Sequence, residues 1–476
     1  MFAPERWRRT LCCSENALLT IIPQHARTAM HHTTGEYGAK KTAAAPPSRK
    51  IQRGLKKMRP LEWNATRSHS IACSWLSRER LIVYSTAMLV MGVGFVGLWA
   101  VVTRGFSDTG GWSPGSDLRV FWSASHAVLH GQAATVFDYS AFSRIVIAAT
   151  GGLPKSAFVP WLYPPTFLLF ITPLALLPLP LAYFAFLAAS ASAYVCATVR
   201  VSGLAQGTLG IATARYIVLA MPCVLVCAIF GQNGLITAAL AALAIASIER
   251  RPVIAGICIG LLAIKPQLGI LFPLVLVAAR AWKVFGYAAV TAVLLALASV
   301  MLCGPASLRL FAGNVGMARE LLLEHDVRFW LASPSVFASL RLMDASLIVA
   351  RLAQAVVAII AICSAWKVWR TTRDTAMRAA ALATATLIVN PYVWHYDLTW
   401  FGLACASLLA TGLRRGWLAG EQPVLLLAWL LPAYEFFNQV LRLPQVGPVI
   451  LLLMLLVVLR RARIERTHSI TREATQ

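Results

Sequence analysis

Long apolar blocks separated by short basic or polar tips fill the chain from Leu81 onward. The blocks lack the period-two alternation of a barrel strand, so they predict helices. A bilayer crossing takes about 20 apolar residues, and the charge-free run Leu81–Val102 reaches that length. Further blocks fall near Pro180–Ala197, Tyr216–Phe230, Gly234–Ile248, Val253–Ile264, Leu268–Ala279, Val284–Cys303, Ala345–Trp366, Ala379–Val389, Leu398–Leu409, Val424–Phe437 and Val449–Leu459. Together they predict an all-α polytopic membrane protein with about twelve transmembrane helices. The shortest blocks are expected to extend into their flanks or to form re-entrant hairpins. Thr166–Leu177 reads as a short helix dipping in from the outer side, because a full crossing there would reverse the sidedness of every loop that follows.

Composition strengthens this reading. Of 476 residues, 58% are hydrophobic and only 13% charged, against roughly a quarter charged in a soluble domain. The net charge of +24 would suggest nucleic acid in a soluble protein. Here the basic residues gather at one set of block ends: Arg200 and Arg215, Arg250-Arg251, Arg280 and Lys283, Lys367 to Arg378, Arg414-Arg415, and Arg460 onward. That is the positive-inside pattern with both termini cytoplasmic, and anionic membrane lipids rather than nucleic acid are the expected partners of this charge. Residues 1–80 are polar, basic and without apolar periodicity, and read as a disordered cytoplasmic extension, with Met58 or Met88 as alternative starts. Residues 81–460 form the membrane domain and 461–476 a cytoplasmic tail. The ten cysteines lie mostly inside apolar runs and carry no disulfide or zinc spacing.

If the basic ends face the cytoplasm, four polar motifs share the outer face. The first is Asp117, in Gly115-Ser116-Asp117-Leu118-Arg119, just after the first crossing. A carboxylate there suits a base that activates a hydroxyl, and an ordinary helix cap is the structural alternative. Gly231-Gln232-Asn233 offers amides for sugar hydroxyls, or simply ends a helix. Lys265 interrupts an apolar run at its middle; an ammonium so placed either holds a phosphate or snorkels at a hairpin tip. His395 and Asp397, in Asn390-Pro391-Tyr392-Val393-Trp394-His395-Tyr396-Asp397, join aromatic faces to polar groups, as sugar rings require. An interfacial aromatic belt with Asp397 as a cap is the alternative. Tyr163-Pro164-Pro165 makes a rigid turn that also shapes a groove. In the charged loop Gly304 to Asp344, Arg328 beside Phe329-Trp330 is a candidate for a phosphate. No nucleotide-binding motif, cofactor fingerprint or metal-ligand spacing appears, so a nucleotide-sugar donor on the cytoplasmic side is not expected.

In this order the motifs resemble glycosyltransferase family 87, membrane proteins of the alpha-1,2-mannosyltransferase type. The likeness rests on Asp117 with Phe121-Trp122, His130-Gly131 to Phe137-Asp138-Tyr139, Tyr163-Pro164-Pro165, Gly231-Gln232-Asn233, Ala255-Gly256 with Gly260, Lys265-Pro266-Gln267, and Asn390-Pro391-Tyr392 to Asp397, from Ser116 to Leu409. Phe121-Trp122 departs from the tyrosine-bearing pattern expected there, which bears on acceptor choice. The resemblance implies a GT-C type fold and transfer of a sugar from a polyprenyl-phosphate donor to a lipid or glycan acceptor. The reaction would occur on the periplasmic or extracellular side of the inner (plasma) membrane, in cell-envelope synthesis. It implies Asp117 as the catalytic base and inversion at the anomeric carbon. Tyr163, Gln232, Asn233, Lys265, Arg328, His395 and Asp397 are then the candidate substrate-binding residues. A secondary transporter would instead need broken helices in paired repeats around midplane polar sites, and no inverted repeat is evident. A noncatalytic assembly partner of the cell envelope is the third reading.

Overall fold

The computed structural model describes residues 75–106, 113–150, 160–207 and 209–475, the side chains of 150 and 465–475 excepted. The basic extension expected over 1–80 therefore lies outside the described residues up to residue 74. Among the described residues all regular structure is helical.

The first long helix, α1 (Arg78–Val102), starts at the cap Ser77, whose side chain accepts from the Arg80 N–H. After it come α2 (Ser116–Leu129), α3 (Tyr139–Thr150) and α4 (Pro165–Ile171), which continues as a 3-10 turn over Thr172–Leu176. These three helices form an aromatic cluster of their own, built on Phe121, Phe137, Phe142, Trp161 and Phe167. Asn314, from a later helix, braces it by donating to the carbonyls of Phe137 and Trp161 at 3.1 and 3.0 Å.

A second long helix, α5 (Leu179–Ser202), leads to the pair α6 (Gly210–Leu219) and α7 (Pro222–Phe230). The pair is bent by 53°, because Pro222 starts a new helix where its missing N–H costs nothing. Four short helices follow: α8 (Gly234–Ser247), α9 (Pro252–Leu261), α10 (Pro266–Gly269) and α11 (Phe272–Ala278). Then come the long α12 (Trp282–Cys303), α13 (Ala306–Ala318), a π-helical turn over Arg319–Glu324, α14 (Val327–Leu331) and α15 (Val336–Leu342). The chain ends with α16 (Leu347–Thr371), α17 (Thr375–Val389), a 3-10 turn over His395–Leu398, α18 (Thr399–Arg415), α19 (Glu421–Leu441) and α20 (Gly447–Thr475).

Residue size sorts these helices into two classes. The buried helices α8, α17 and α18 are rich in Ala, Gly, Ser and Thr, and nearly every side chain of α17 and α18 is inaccessible. Lipid tails are as apolar as leucine, so helices associate there through close backbone approach, which small residues permit. The same logic joins α9 to α12: a side chain at Gly256 or Gly260 would collide with Tyr287 or Thr291. The outer helices α1, α12 and α16 instead expose Val, Leu, Ile and Met outward, as surfaces facing hydrocarbon do.

Five helices are long and apolar enough to cross a membrane (α1, α5, α12, α16 and α19), and the bent α6–α7 pair makes a possible sixth. Most of the blocks read from the sequence as further crossings fold as shorter helices, while Val449–Leu459 is the apolar first part of α20, a 29-residue helix whose later turns are charged. A 14-residue helix such as α8 rises only about 21 Å, short of the roughly 30 Å hydrocarbon core. Hydropathy reports apolar content, and buried helices are apolar on all sides whatever their length.

Candidate functional site

Four chain segments meet at one end of the bundle, and each is delivered by a break in a helix. Gly115, in the left-handed region at φ 79°, starts α2 and donates its N–H to the Ile229 carbonyl at 2.6 Å. That bond ties the start of α2 to the end of α7. Asp117 then falls in the first turn of α2. Neither it nor Ser116 makes a side-chain cap bond to that helix, so capping does not account for the carboxylate. Its Oδ2 accepts instead from Gln232 Nε2 at 2.8 Å, across 115 residues of chain.

Gln232-Asn233 is a two-residue tip between two glycines. Gly231 ends α7 in the left-handed region, and a Cβ there would strike Leu118 of α2. Gly234 starts α8, and a Cβ there would strike the Tyr396 carbonyl and the Thr399 hydroxyl. Only glycines let the tip touch α2 on one side and the 395–399 segment on the other.

The Gln232 amide is fixed from behind. Its Oε1 accepts from the Tyr163 hydroxyl and from the Asn233 backbone N–H, both at 3.0 Å. Two donors on one oxygen oblige the NH2 group to face Asp117. Tyr163 is held in turn by edge-to-face contact with Phe121 at 5.3 Å and by Phe167 at 4.6 Å.

Lys265 sits where the 3-10 turn Leu262–Ile264 gives way to α10, with non-helical backbone at φ −146° and ψ 72°. Its side chain does not snorkel; it is buried, and Nζ lies 2.5 Å from Asp397 Oδ1 and 3.4 Å from Asn233 Oδ1. The rings of Tyr396 and Tyr163 lie 5.1 and 5.9 Å from the ammonium, within cation–π range. Asp397 also caps its own turn, since Oδ2 accepts from the Trp394 N–H at 3.2 Å. The capping expected as the alternative is present: one oxygen caps and the other takes the lysine.

Burial raises the Asp117 carboxyl to about 6, against the lowering effects of the Gln232 hydrogen bond, the Lys265 charge and the Ser116 hydroxyl. Its flank is half-open, yet protein surrounds the carboxyl closely enough for desolvation to dominate. A carboxylate that titrates near neutrality is suited to accept a proton. Several donors around the cluster have no partner: Asn233 Nδ2, Asn390 Nδ2 and Trp394 Nε1 are buried and unbonded.

The remaining sequence candidates are placed differently. His395 is fully buried behind Asp397, 4.8 Å from the Phe230 ring. Its Nδ1 accepts from the Tyr396 N–H at 2.9 Å, and Nε2 lies 2.8 Å from the Gln439 amide. Burial lowers its pKa to about 3, so it stays neutral and supports the turn. Arg328 lies exposed on α14, outside the cluster; the same loop instead contributes Phe329, which stacks on Tyr392 at 5.2 Å. Sequence reasoning missed Tyr396, Trp394 and Asn390 as individuals, although all three stand in the aromatic-rich turn it singled out. Among the described residues no group of three or more His, Cys, Asp or Glu gathers as a metal would require.

No curated protein and no solved structure matches the chain. Residues 161–391 match the family model described as glycosyltransferase family 87; that stretch holds Tyr163, Gln232, Asn233, Lys265 and Arg328, while Asp117, His395 and Asp397 lie outside it. Just under half of the chain thus matches a glycosyltransferase family, in a bundle of apolar, membrane-type helices, and the match supports a membrane-embedded glycosyltransferase.

Proposed function

We propose that the protein transfers a hexosyl group, of mannosyl type, from a polyprenyl phosphate to a hydroxyl of a lipid or glycan acceptor during cell-envelope synthesis. The fold in this reading is of GT-C type with about twelve membrane segments, several too short to span alone. Transfer occurs on the non-cytoplasmic face of the inner membrane. Sidedness follows from where charge falls along single helices. On α5, Tyr183 contacts the Ala228 carbonyl beside the site, and Arg200 lies at the far end. The segment entering α18 carries Asp397, and the helix ends at Arg414-Arg415. The basic ends belong in the cytoplasm, so the site belongs outside.

One observation carries the mechanism: a carboxylate held through one oxygen, beside a lysine with donor capacity to spare. Gln232 occupies Asp117 Oδ2, while among the described residues Oδ1 has only the Ser116 hydroxyl at 3.5 Å. The acceptor hydroxyl gives its proton to Asp117 as its oxygen attacks the anomeric carbon. The bond from that carbon to the phosphate oxygen breaks, and the polyprenyl phosphate leaves with the electron pair. A single displacement inverts the anomeric configuration. The leaving phosphate needs no general acid, only a cation. Lys265 has three N–H donors; Asp397 takes one, Asn233 faces a second, and the third serves a phosphate oxygen.

The test is transfer from radiolabelled polyprenyl-phosphate mannose to native lipid or glycan acceptors, in membranes holding wild type or equally expressed Asp117→Asn. Transfer by wild type alone is the expected result. Equal transfer by both removes Asp117 from the mechanism. Transfer by neither, with other polyprenyl-phosphate sugars also tried, overturns the donor class.

A further inference from the structure

The 3-10 turn His395–Leu398 is held from behind by a residue of another helix. The turn carries Asp397, which caps it with one oxygen and takes Lys265 with the other. Its first residue, His395, is fully buried among aromatic rings: Trp394 stacks on it at 5.6 Å, and Phe230 and Phe436 lie at 4.8 and 6.0 Å. Packing of this kind does not distinguish the two nitrogens of the imidazole. Hydrogen bonding does.

A neutral imidazole has one N–H and one bare nitrogen. His395 Nδ1 accepts from the Tyr396 backbone N–H at 2.9 Å, so Nδ1 is the bare one and Nε2 carries the proton. Burial keeps the ring neutral, so this assignment is complete. Nε2 lies 2.8 Å from the side-chain amide of Gln439. Two donors cannot bond, so the amide turns its oxygen to the ring and its NH2 group away. With the amide the other way round, the proton would have to move to Nδ1, and the Tyr396 N–H would lose its acceptor.

Gln439 stands in the last turn of α19, next to Asn438, and the two side chains are used differently. Asn438 is buried and joins scaffold to scaffold: it donates to the Leu331 carbonyl at 2.9 Å and accepts from the Leu443 N–H at 2.6 Å. Gln439 instead reaches a ring inside the turn that holds Asp397. Hydrogen bonds between helices of this kind fix one arrangement among several that packing allows.

We infer that Gln439 is a positioning residue of the transfer site. It holds His395 in the Nε2–H tautomer, His395 latches the Tyr396 N–H, and the latched turn sets Asp397 where it aims the Lys265 ammonium. The inference rests on the transfer reaction proposed above, in which Lys265 stabilises the leaving phosphate. Gln439 acts through His395, so the loss of the amide and the loss of the ring are not additive.

The tautomer is read directly by nitrogen NMR of the full-length protein in nanodiscs with isotope-labelled histidine, the His395 signals being those missing from His395→Phe. Wild type is expected to show Nε2 protonated and Nδ1 bare, and Gln439→Leu a mixture of both tautomers. A wild-type ring protonated at Nδ1, or a tautomer unchanged in Gln439→Leu, overturns the inference. In the transfer assay Gln439→Leu is expected to lower kcat roughly ten- to a hundredfold with the acceptor KM unchanged, as a misplaced reacting group does. His395→Phe is expected to lower it as much, and the double variant no further. Additive losses would give Gln439 a role apart from His395 and overturn the relay. The same three variants can be compared without turnover, by hydrogen exchange at the 395–398 amides, where the relay again requires that the double variant exchange no faster than His395→Phe. An inactive wild type would therefore count against the proposed reaction, while tautomer and exchange decide the relay.

Discussion

Two buried ion pairs lie at opposite ends of the bundle, and they are built differently. At the basic end, Arg461 meets Glu421 through both of its oxygens: Nε donates to Oε1 at 2.6 Å and a terminal nitrogen donates to Oε2. The same guanidinium caps the Gly416 carbonyl at 2.7 Å, and Glu421 takes the Leu418 N–H at 2.8 Å. That pair is closed, with its donors and acceptors spent on protein. At the other end, Lys265 meets Asp397 through a single oxygen, with a long contact to Asn233 and unbonded donors close by. A pair that serves only the fold saturates itself, because any unmet group costs desolvation energy. A pair that awaits a ligand keeps donors in reserve. The open pair also lies beside a carboxylate that burial raises to about 6, Asp117.

The sharpest break of this comparison is Asp117→Asn. It is expected to lower transfer by roughly 10²–10⁴-fold, the usual worth of a general base, with expression and fold intact. Its stability carries a second signature. The folded carboxyl titrates near 6 and the unfolded one near 3.8, so the folded state holds the proton more tightly. The stability this lends below pH 3.8 is lost as pH rises through about 6. An asparagine cannot lose it. The variant's Tm should therefore match wild type near pH 4 and exceed it above pH 6, as followed by thermal denaturation in detergent. A variant that is inactive and also less stable at pH 7 would mean that Asp117 is a structural anchor.

The two pairs themselves come next. Arg461→Met strands a buried carboxylate and should cost about 3–5 kcal/mol, with normal transfer by the molecules that remain folded. The double variant Arg461→Met/Glu421→Leu should recover most of that stability. Lys265→Met/Asp397→Leu should recover stability in the same way relative to Lys265→Met, yet remain at least about a hundredfold impaired in transfer. If both doubles were active, the openness of the Lys265–Asp397 pair would have no functional meaning.

Gly234→Ala gives a smaller effect. The added methyl meets the Tyr396 carbonyl, which belongs to the turn that carries Asp397. Overpacking of this kind costs about 1–3 kcal/mol. The expected result is a lower Tm together with weaker transfer, because the 395–398 turn must move away from the Gln232-Asn233 tip. Gly286 has open space around it, and its alanine variant is the control expected to change neither.

The sequence made one half of this comparison legible. Asp117, Gln232, Lys265 and Asp397 stand out because each is a polar interruption of an apolar pattern, and such interruptions are costly unless used. Their partnerships do not stand out. Asp397 lies 132 residues from Lys265, and a single chain read in order carries no signal for that contact. Gly231 and Gly234 are visible as letters, but their reason is the approach of α2 and of the 395–399 segment, a fact of packing. Arg328 reads as a phosphate candidate because two aromatics follow it, whereas in the fold the aromatics turn inward and the arginine outward. The number of crossings was the least readable feature. Pro222, Pro266 and Pro273 each start a helix within a largely apolar stretch, so one hydropathy signal covers several short elements.

The smallest predicted effect discriminates best between two uses of the Gln232-Asn233 tip. If Gln232 binds the sugar, its loss should weaken transfer equally at every pH. The geometry favours a positioning role, since its amide is fully committed: Oε1 to Tyr163 and Asn233, Nε2 to Asp117. A hydrogen bond to the ionised form stabilises it, and Gln232 is the largest of the effects that lower the Asp117 pKa. Gln232→Leu should therefore move the acid limb of the pH–rate profile above its wild-type midpoint near 6. Transfer would fall more at pH 6 than at pH 8, where the base is ionised in either case. Tyr163→Phe should move the limb the same way by less, because the Asn233 N–H still holds the amide oxygen. Profiles of kcat/KM from pH 5 to 9 decide the matter. Parallel curves would return Gln232 to the substrate, and a shifted limb with a preserved plateau would assign it, with Tyr163 behind it, to the aim of the base.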